Sequence, residues 1–496
     1  MIVMKFGGAS LASPISMRRV VSIVQSQLAR DPLVVVSALG DTTDHLLELL
    51  SCASQGHSYQ GWKCLEQLQT YHFCLAEDLL DGAELNEIEN YLRQVFRDLH
   101  VQMLELSEGE RSSSPELRDW VLALGEQISS KLVASVFRKH DIPAAHLDAR
   151  SLIITDQQFT RAEPRYWETY ARIRWAVPSA GSRVAVLGGF IGATEDGRTT
   201  TLGRGGSDLT ASLIGAALNA EEVQVWKDVD GLLTWDPKIH SGAGYRVKQL
   251  SYEEMADLAS AGATILHPDT IAPLQRLRIP ITIRNTFRPE CEGTKIGSPQ
   301  PGSVGTVKSI ACKTDITLLE LRQPKEHGLQ QYARYLEILC QQRMSGATFL
   351  GMTPDVIYLA IEGTAGVAKF EFNLEQCAEV HVRSRQAILI LVGDGLRNSS
   401  TAERVLATLT SSEALILPAN SSSRCVCISV PTRNLARSLA ALVRILFAEA
   451  DSRFFADSRT SRSEEEQEQV DLAMVSAPKT RPQRDIFVLA HSGTRT

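Results

Sequence analysis

The chain is expected to fold as an α/β protein, a mostly parallel sheet sandwiched by helices, followed by two smaller α+β modules. Three observations predict this. Short runs that are apolar throughout, such as LVVVS at 33–37, alternate with helical periods over the first 290 or so residues; strands of that kind are buried on both faces, as parallel sheets require. A Gly/Pro/Ser-rich piece, GSPQPGSVG at 297–305, interrupts the pattern. Beyond it, strand–helix–strand units recur twice in about 145 residues.

The elements follow in order. Residues 2–6 form an apolar strand that runs into Gly7-Gly8-Ala9-Ser10, and 14–27 carry the period of an amphipathic helix. Residues 44–140 are mostly helical in period, broken by a polar turn at 107–114, and Ser114-Pro115 is a cap residue followed by proline at a first turn. The helix that starts there carries Gly125-Glu126 within an apolar face. Strands are expected at 184–187, 223–226 and 279–284, with helices at 208–218, 252–261 and 268–277. In the second half, 310–321, 356–361, 387–392 and 425–430 are strand-like, and 330–343, 400–410 and 432–447 are helical. From about 457 the chain turns polar (SRTSRSEEEQEQ) and is expected to be a disordered tail, with one short apolar piece at 486–490. The expected domains are therefore 1–297, 306–456 and the tail 457–496.

Composition narrows the function classes. With 51 basic and 58 acidic side chains the net charge is −7, and no basic patch stands out, which argues against nucleic acid or an anionic membrane as partner. The start, MIVMKFGGAS, lacks the layout of a secretory signal, and no apolar run approaches the roughly 18 residues of a membrane span. The nine cysteines are scattered without a Cys-x-x-Cys arrangement, so reduced thiols, a cytoplasmic location and no metal site are expected.

Residues 186–237 are the most informative stretch: a strand, a threonine run, a Gly-Arg-Gly-Gly-Ser-Asp turn, a helix and a second strand ending in Lys227-Asp228-Val229-Asp230-Gly231. A turn rich in backbone N–H groups beside a helix N-terminus is where anions are held. Arg204 can bind a carboxylate bidentately, and Asp208 can orient a lysine; alternatively Ser207 and Asp208 only cap the helix. Lys5-Phe6-Gly7-Gly8 reads as a phosphate approach, with glycines for close backbone contact and a mobile cation, or as a plain strand-to-helix turn. Neither G-x-x-x-x-G-K-[ST] nor G-x-G-x-x-G occurs. Ser37 and Thr43 follow the second strand, at the carboxyl edge where open α/β sheets take ligands. Asp228 and Asp230 alternate along a strand end, and one of them can simply shape the turn at Gly231. Glu126 is either a salt-bridged structural residue, the reading the sequence favours, or a partner for a substrate ammonium group. His267-Pro268 reads as an ordinary helix start.

Taken together, these segments resemble the aspartate kinases of the amino-acid-kinase superfamily, closely over 2–296 and more loosely over 306–450. The motifs that carry the resemblance are KFGGAS at 5–10, VVVSALGDTTDHL at 34–46, GEQISSKL at 125–132, FTRAEP at 159–164, GGFIGA at 188–193, TTTLGRGGSD at 199–208, VWKDVDGLLTWDP at 225–237, LHPDTIAP at 266–273 and NTFRPECEGTKI at 285–296. The resemblance implies the amino-acid-kinase fold followed by paired ACT domains, and conversion of ATP and L-aspartate to ADP and 4-phospho-L-aspartate. It implies that Lys5, Phe6, Gly7 and Gly8 contact ATP, with Lys5 neutralising the transferred phosphoryl group, and that Lys227, Asp228, Leu233 and Lys238 line the nucleotide pocket. Thr43, Glu126, Arg204 and Ser37 would hold aspartate, with Glu126 on its ammonium and Arg204 on its α-carboxylate, and Asp208 would orient the catalytic lysine or the reacting groups. Mg²⁺ held largely by ATP oxygens, a lysine or threonine effector on the ACT domains (the lysine-sensitive class matching best), and a homodimer or homotetramer complete what it implies. No fused homoserine dehydrogenase is expected. Ala9 stands in place of a family threonine, and Thr264 where some members have a nucleotide-contacting lysine. Alternative readings are a kinase for another acidic amino acid and a non-catalytic amino-acid sensor on the same fold.

Overall fold

Strand β1 (Ile2–Phe6) lies inside an eight-stranded sheet whose strand order is β3-β4-β2-β1-β7-β10-β11-β9, with β2 Pro32–Val36, β3 Ala144–Leu147, β4 Val184–Gly188, β7 Glu222–Lys227, β9 Gln249–Ser251, β10 Ile281–Asn285 and β11 Thr294–Gly297. This is a computed structural model, and it describes residues 1–109, 113–179, 181, 183–237, 239–240, 244–262, 265–299, 301–322, 347–353, 355–363, 379–396, 400–409, 412–418 and 423–456. The pairings from β3 through β10 are parallel, and only β11 reverses against β10.

Burial on both faces explains the unbroken apolar runs. Along β1 and β2, Val3, Leu33 and Val35 enter one core, while Ile2, Met4, Phe6, Val34 and Val36 enter the other. The period-2 alternation of side chains thus supplies two cores from one strand. The second core is covered by helices α1 (Pro14–Ser26), α2 (Thr42–Ser54), α3 (Ser58–Leu79), α4 (Gly82–Ser107) and α5 (Pro115–Lys139). The first is covered by α6 (Tyr166–Ser179), α7 (Gly206–Leu218), α8 (Tyr252–Ser260) and α9 (Pro268–Leu277).

Local signals place the helix ends. Ser13 caps α1 in a reciprocal capping box with Ser16, and Ser251 does the same for α8 with Glu254. Ser114 accepts from the Leu117 N–H at 3.1 Å with Pro115 at the first turn, as that dipeptide predicts. The polar threonine run forms β6 (Thr199–Thr201), which pairs with β5 (Ile191–Ala193) in a small antiparallel ribbon beside the main sheet. A further two-residue strand, β8 (Arg246–Val247), completes this half.

The second half is one six-stranded sheet in the order β13-β14-β12-β15-β17-β16, where β12 is Ser309–Arg322, β13 Ala347–Met352, β14 Val356–Glu362, β15 Glu379–Val392, β16 Leu415–Leu417 and β17 Cys425–Pro431. The strands β12 and β15 are long enough to serve two modules. One end of β12, Ser309 to Lys313, pairs with Ile388 to Val392, which in turn pairs with β17; the other end pairs with β14 and with Glu379 to Arg383. Register shifts separate the ends, and Asp315 (φ 56°) and Arg385 (φ 54°) take left-handed backbone there. The two expected α+β modules thus share a continuous antiparallel sheet, with α10 (Ser400–Leu409) and α11 (Leu435–Leu446) as its helices among the described residues. The helix expected at 330–343, the tail after 456 and its apolar piece at 486–490 lie outside the described residues. The chain returns to the first half through β18 (Phe455–Ala456), which pairs with β8. No helix among the described residues is long and apolar enough to cross a membrane.

Candidate active site

Parallel strands bring their carboxyl ends to one edge, and Lys5, Phe6, Gly7, Gly8, Ser37, Lys227 and Asp228 lie there. Phe6 is level with Val36 and with Trp226, and Val36 with Gly188. The four loops that follow begin at Gly7, Ser37, Gly189 and Asp228, an arrangement that open α/β sheets use for ligands. In the first loop a β-carbon on Gly8 would stand 2.8 Å from the Gly40 carbonyl oxygen and 3.0 Å from that of Ala38, so only glycine lets these two loops meet. The next residue, Ala9, is exposed, and Ser10 is buried, bonded through its hydroxyl to that of Thr286 at 2.7 Å. Ser37, half-buried, donates its N–H to the Phe6 carbonyl at 3.1 Å, and Thr43 is half-buried in the first turn of α2.

Three charges meet between the strand ends and α7. Lys5 Nζ lies 2.7 Å from Asp208 Oδ1 and Lys227 Nζ lies 3.2 Å from Asp208 Oδ2. Lys227 also donates to the Ile265 carbonyl. Lys5 is 6 % exposed and Asp208 5 %, so solvent screens this triad little. Burial pushes the Asp208 carboxyl up, but the two ammonium groups overcome it and hold the pKa below the ordinary value. Burial, aided by the nearby Lys5 charge, lowers the Lys227 pKa against the pull of Asp208. The triad carries one net positive charge with Asp208 ionised, suited to a phosphoryl group. The helix-cap reading of Asp208 gives way here. The α7 N-cap is Gly205, in left-handed backbone (φ 73°) with no side-chain cap, and Asp208 is spent on the lysines.

Glu126 is the second buried carboxyl. It is 3 % exposed, and among the described residues it has no ion pair and its Oε2 finds no hydrogen-bond partner. Burial raises its pKa to about 8, opposed by a backbone hydrogen bond from Ala38 and by the charge of Lys5. The salt-bridged structural reading that the sequence favoured is therefore overturned. A buried oxygen left unpaired beside a phosphate-type cation cluster is suited to an incoming ammonium donor.

Arg204 sits at the turn between β6 and α7, exposed, with no hydrogen-bond or ion-pair partner among the described residues. The turn is shaped against α9: a β-carbon on Gly205 would stand 2.5 Å from His267 Cβ. His267 itself is the α9 N-cap, an ordinary helix-start histidine as expected, 3.3 Å from Asp269. After β7, Asp228 is exposed, while Asp230 accepts from Asn285 at 2.7 Å and pairs with Arg288 at 3.0 Å, so Asp230 is the one that shapes the loop. Leu233 is half-buried and its carbonyl accepts from the Ser309 hydroxyl at 2.9 Å. Lys238 and Thr264 lie outside the described residues. No group of three or more His, Cys, Asp and Glu is placed to hold a metal ion among the described residues.

Sequence reasoning missed Asp119, which is fully buried and ties two of the motif segments together. Its signal was legible: an acidic residue two turns before Glu126 on the same face of α5. Also missed was the Ile265 carbonyl that holds Lys227, since backbone acceptors leave no trace in residue types.

Comparisons with known proteins bear on the family and the fold. Residues 1–285 match the amino acid kinase family. The chain is 32 % identical to aspartokinase 2, chloroplastic, of Arabidopsis thaliana over 81 % of this chain and 76 % of that protein. It is 30 % identical to lysine-sensitive aspartokinase 3 of Escherichia coli over 87 % of this chain and 95 % of that protein. The crystal structure of E. coli aspartokinase III in complex with aspartate and ADP superposes with a TM-score of 0.78 at 28 % identity, covering 90 % of this chain and all of that one. Family motifs in order, a parallel sheet with the charged cluster at its carboxyl edge and this coverage lead to one conclusion: the chain belongs to the aspartokinases of the amino acid kinase family.

Proposed function

We propose that this chain transfers the γ-phosphoryl group of ATP to the β-carboxylate of L-aspartate, forming 4-phospho-L-aspartate and ADP. The observation that carries the reading is the pairing of a buried, unpartnered Glu126 oxygen with the Lys5–Asp208–Lys227 triad at one sheet edge. A substrate with both an ammonium and carboxylates satisfies Glu126 and leaves a carboxylate for the cationic side.

Each residue then has one task. Glu126 ionises as it receives the substrate ammonium, and Arg204 takes the α-carboxylate through its free guanidinium, with the Thr43 and Ser37 hydroxyls beside the bound amino acid. A β-carboxylate oxygen attacks the γ-phosphorus, the bond from that phosphorus to the β,γ-bridging oxygen breaks, and ADP leaves with the electron pair. The carboxylate is already a nucleophile, so no general base is required, and the protein's work is positioning and charge. Lys5 neutralises the moving phosphoryl group, Asp208 keeps Lys5 and Lys227 from drifting apart, and Gly7 and Gly8 let backbone reach the phosphates. Asp228, Leu233 and Lys238 belong to the nucleotide side. Mg²⁺ would be held largely by ATP oxygens and would supply charge neutralisation there.

On the same reading, residues 1–297 are the catalytic domain and 306–456 paired ACT-type regulatory domains that take an amino-acid effector, lysine before threonine. The protein would be cytoplasmic, and edge strands pairing between subunits would give a homodimer or homotetramer. Trapping the acyl phosphate as its hydroxamate from purified protein, Mg-ATP and amino acid tests the reading. Product is expected with aspartate and not with glutamate, and added lysine should reduce it. No product with either substrate would support the non-catalytic sensor instead.

A further inference from the structure

We infer that Asp119 is a positioning residue that sets two guanidinium groups, Arg204 and Arg161, as a paired clamp for the dicarboxylate substrate. The inference rests on the kinase reading above and assigns residues that reading leaves unused. Asp119 is wholly buried on α5, seven residues before Glu126. Seven residues are close to two helical turns, so both carboxylates project from one face, about 10 Å apart along the axis. One reaches the amino-acid site directly, and the other reaches the loops that border it.

The Asp119 contacts are specific. Its Oδ2 accepts from the Thr160 N–H at 2.8 Å and from the Thr201 N–H at 2.9 Å, and its Oδ1 accepts from the Thr201 hydroxyl at 2.7 Å. The Ala162 N–H donates to the Thr201 carbonyl at 2.9 Å, so the two segments are also joined directly. Thr160 has φ 74°, a left-handed conformation that a β-branched residue adopts only when its surroundings hold it. Arg161 is the next residue, and Arg204 comes three after Thr201.

Arg161 lies against the turn that carries Arg204. A methyl on Gly203 would touch the Arg161 Cγ at 3.5 Å. Both side chains are exposed, and neither has a hydrogen-bond or ion-pair partner among the described residues. Two unpaired guanidiniums carried by loops that touch are suited to bidentate recognition of a carboxylate. Arg161 would then share with Arg204 the α-carboxylate of the substrate, leaving the β-carboxylate to face ATP.

The experiment is steady-state kinetics of wild type, Asp119→Ala, Asp119→Asn and Thr201→Val, with melting temperatures measured alongside. Wild-type turnover of aspartate is the control for the kinase reading: if it is absent, that reading fails, whereas the inference fails on the variants alone. Asp119→Ala should raise the KM for aspartate by about 10- to 100-fold, the cost of misplacing a binding group, while the KM for ATP changes less than about twofold. Asparagine keeps the shape, its carbonyl accepting both N–H groups and its amide donating to the Thr201 hydroxyl, so Asp119→Asn should return the aspartate KM to within about threefold of wild type. Thr201→Val removes one bond and remains informative should Asp119→Ala not fold; it should raise the aspartate KM alone. Equal changes in both KM values, or a lowered melting temperature with neither KM altered, would show a merely structural carboxylate and overturn the inference.

Discussion

Glu126 exemplifies how one buried atom organises a site. Its carboxyl has a pKa near 8 in the free protein, against 4.5 when solvated. Between those values the folded state holds a proton that the unfolded state has released, so the contribution of Glu126 to stability falls as pH rises from about 4.5 to 8. Glu126→Gln should flatten that part of the pH dependence of melting, and an unchanged slope would show that the group is not buried neutral. The same shift predicts the consequence of binding. An ammonium placed against the carboxyl favours its ionised form, so aspartate binding at pH 7 should release up to about one proton, read by calorimetry in buffers of different ionisation enthalpy. At Arg204 the expectation is selective: Arg204→Ala should raise the KM for aspartate by roughly 100-fold and leave that for ATP nearly unchanged, since one charge-assisted bidentate pair is lost. Equal losses would contradict its placement on the amino-acid side.

At the scale of elements, the site depends on β1, β7 and α7 meeting at one height, because each contributes one member of the Lys5–Asp208–Lys227 triad. Asp208→Asn should lower kcat by about 100-fold or more, as the buried Lys5 and half-buried Lys227 ammonium groups lose the charge that holds them in place. A kcat within a few-fold of wild type would mean that the triad is structural only. The elements differ in how legible they were. β2 and β4 are apolar on both faces and β1 is so except for Lys5, so their composition alone marks them, and α1, α5 and α9 carry their start signals in Ser13-Pro14, Ser114-Pro115 and His267-Pro268. β6 is three threonines and β11 reads TKIG, pieces too short and polar for periodicity to detect. They become strands because tertiary contacts supply partners, β5 for one and β10 for the other. The glycines and lysines of the site were visible for the same reason as its apolar strands, being demanded locally. Asp119 was passed over because its partners lie 41 and 82 residues away.

At the scale of the whole molecule, α8 connects the two halves. Glu254 accepts the Asp394 N–H at 3.1 Å while its other oxygen closes the α8 capping box, and Asp257 pairs with Arg424 at 2.9 Å. Between the halves, Lys308 is buried with its ammonium 3.6 Å from the centroid of the Phe454 ring, and burial lowers its pKa to about 8. Downstream of α8, the Ile265 carbonyl receives Lys227, and on the proposed reading α8 would couple the six-stranded sheet to the triad. Asp257→Ala should raise the lysine concentration for half-inhibition several-fold without altering the aspartate KM, because it weakens coupling rather than the pocket; an unchanged lysine response would place the coupling elsewhere. The central claim is that the pocket grips the ammonium and α-carboxylate and offers the β-carboxylate to ATP. The most direct test is ³¹P NMR of the product made from Mg-ATP and aspartate labelled with ¹⁸O in one carboxylate at a time. The account predicts an isotope-shifted acyl-phosphate resonance from β-labelled aspartate and none from α-labelled. A shifted resonance from the α-label, or no acyl phosphate from either, would contradict it.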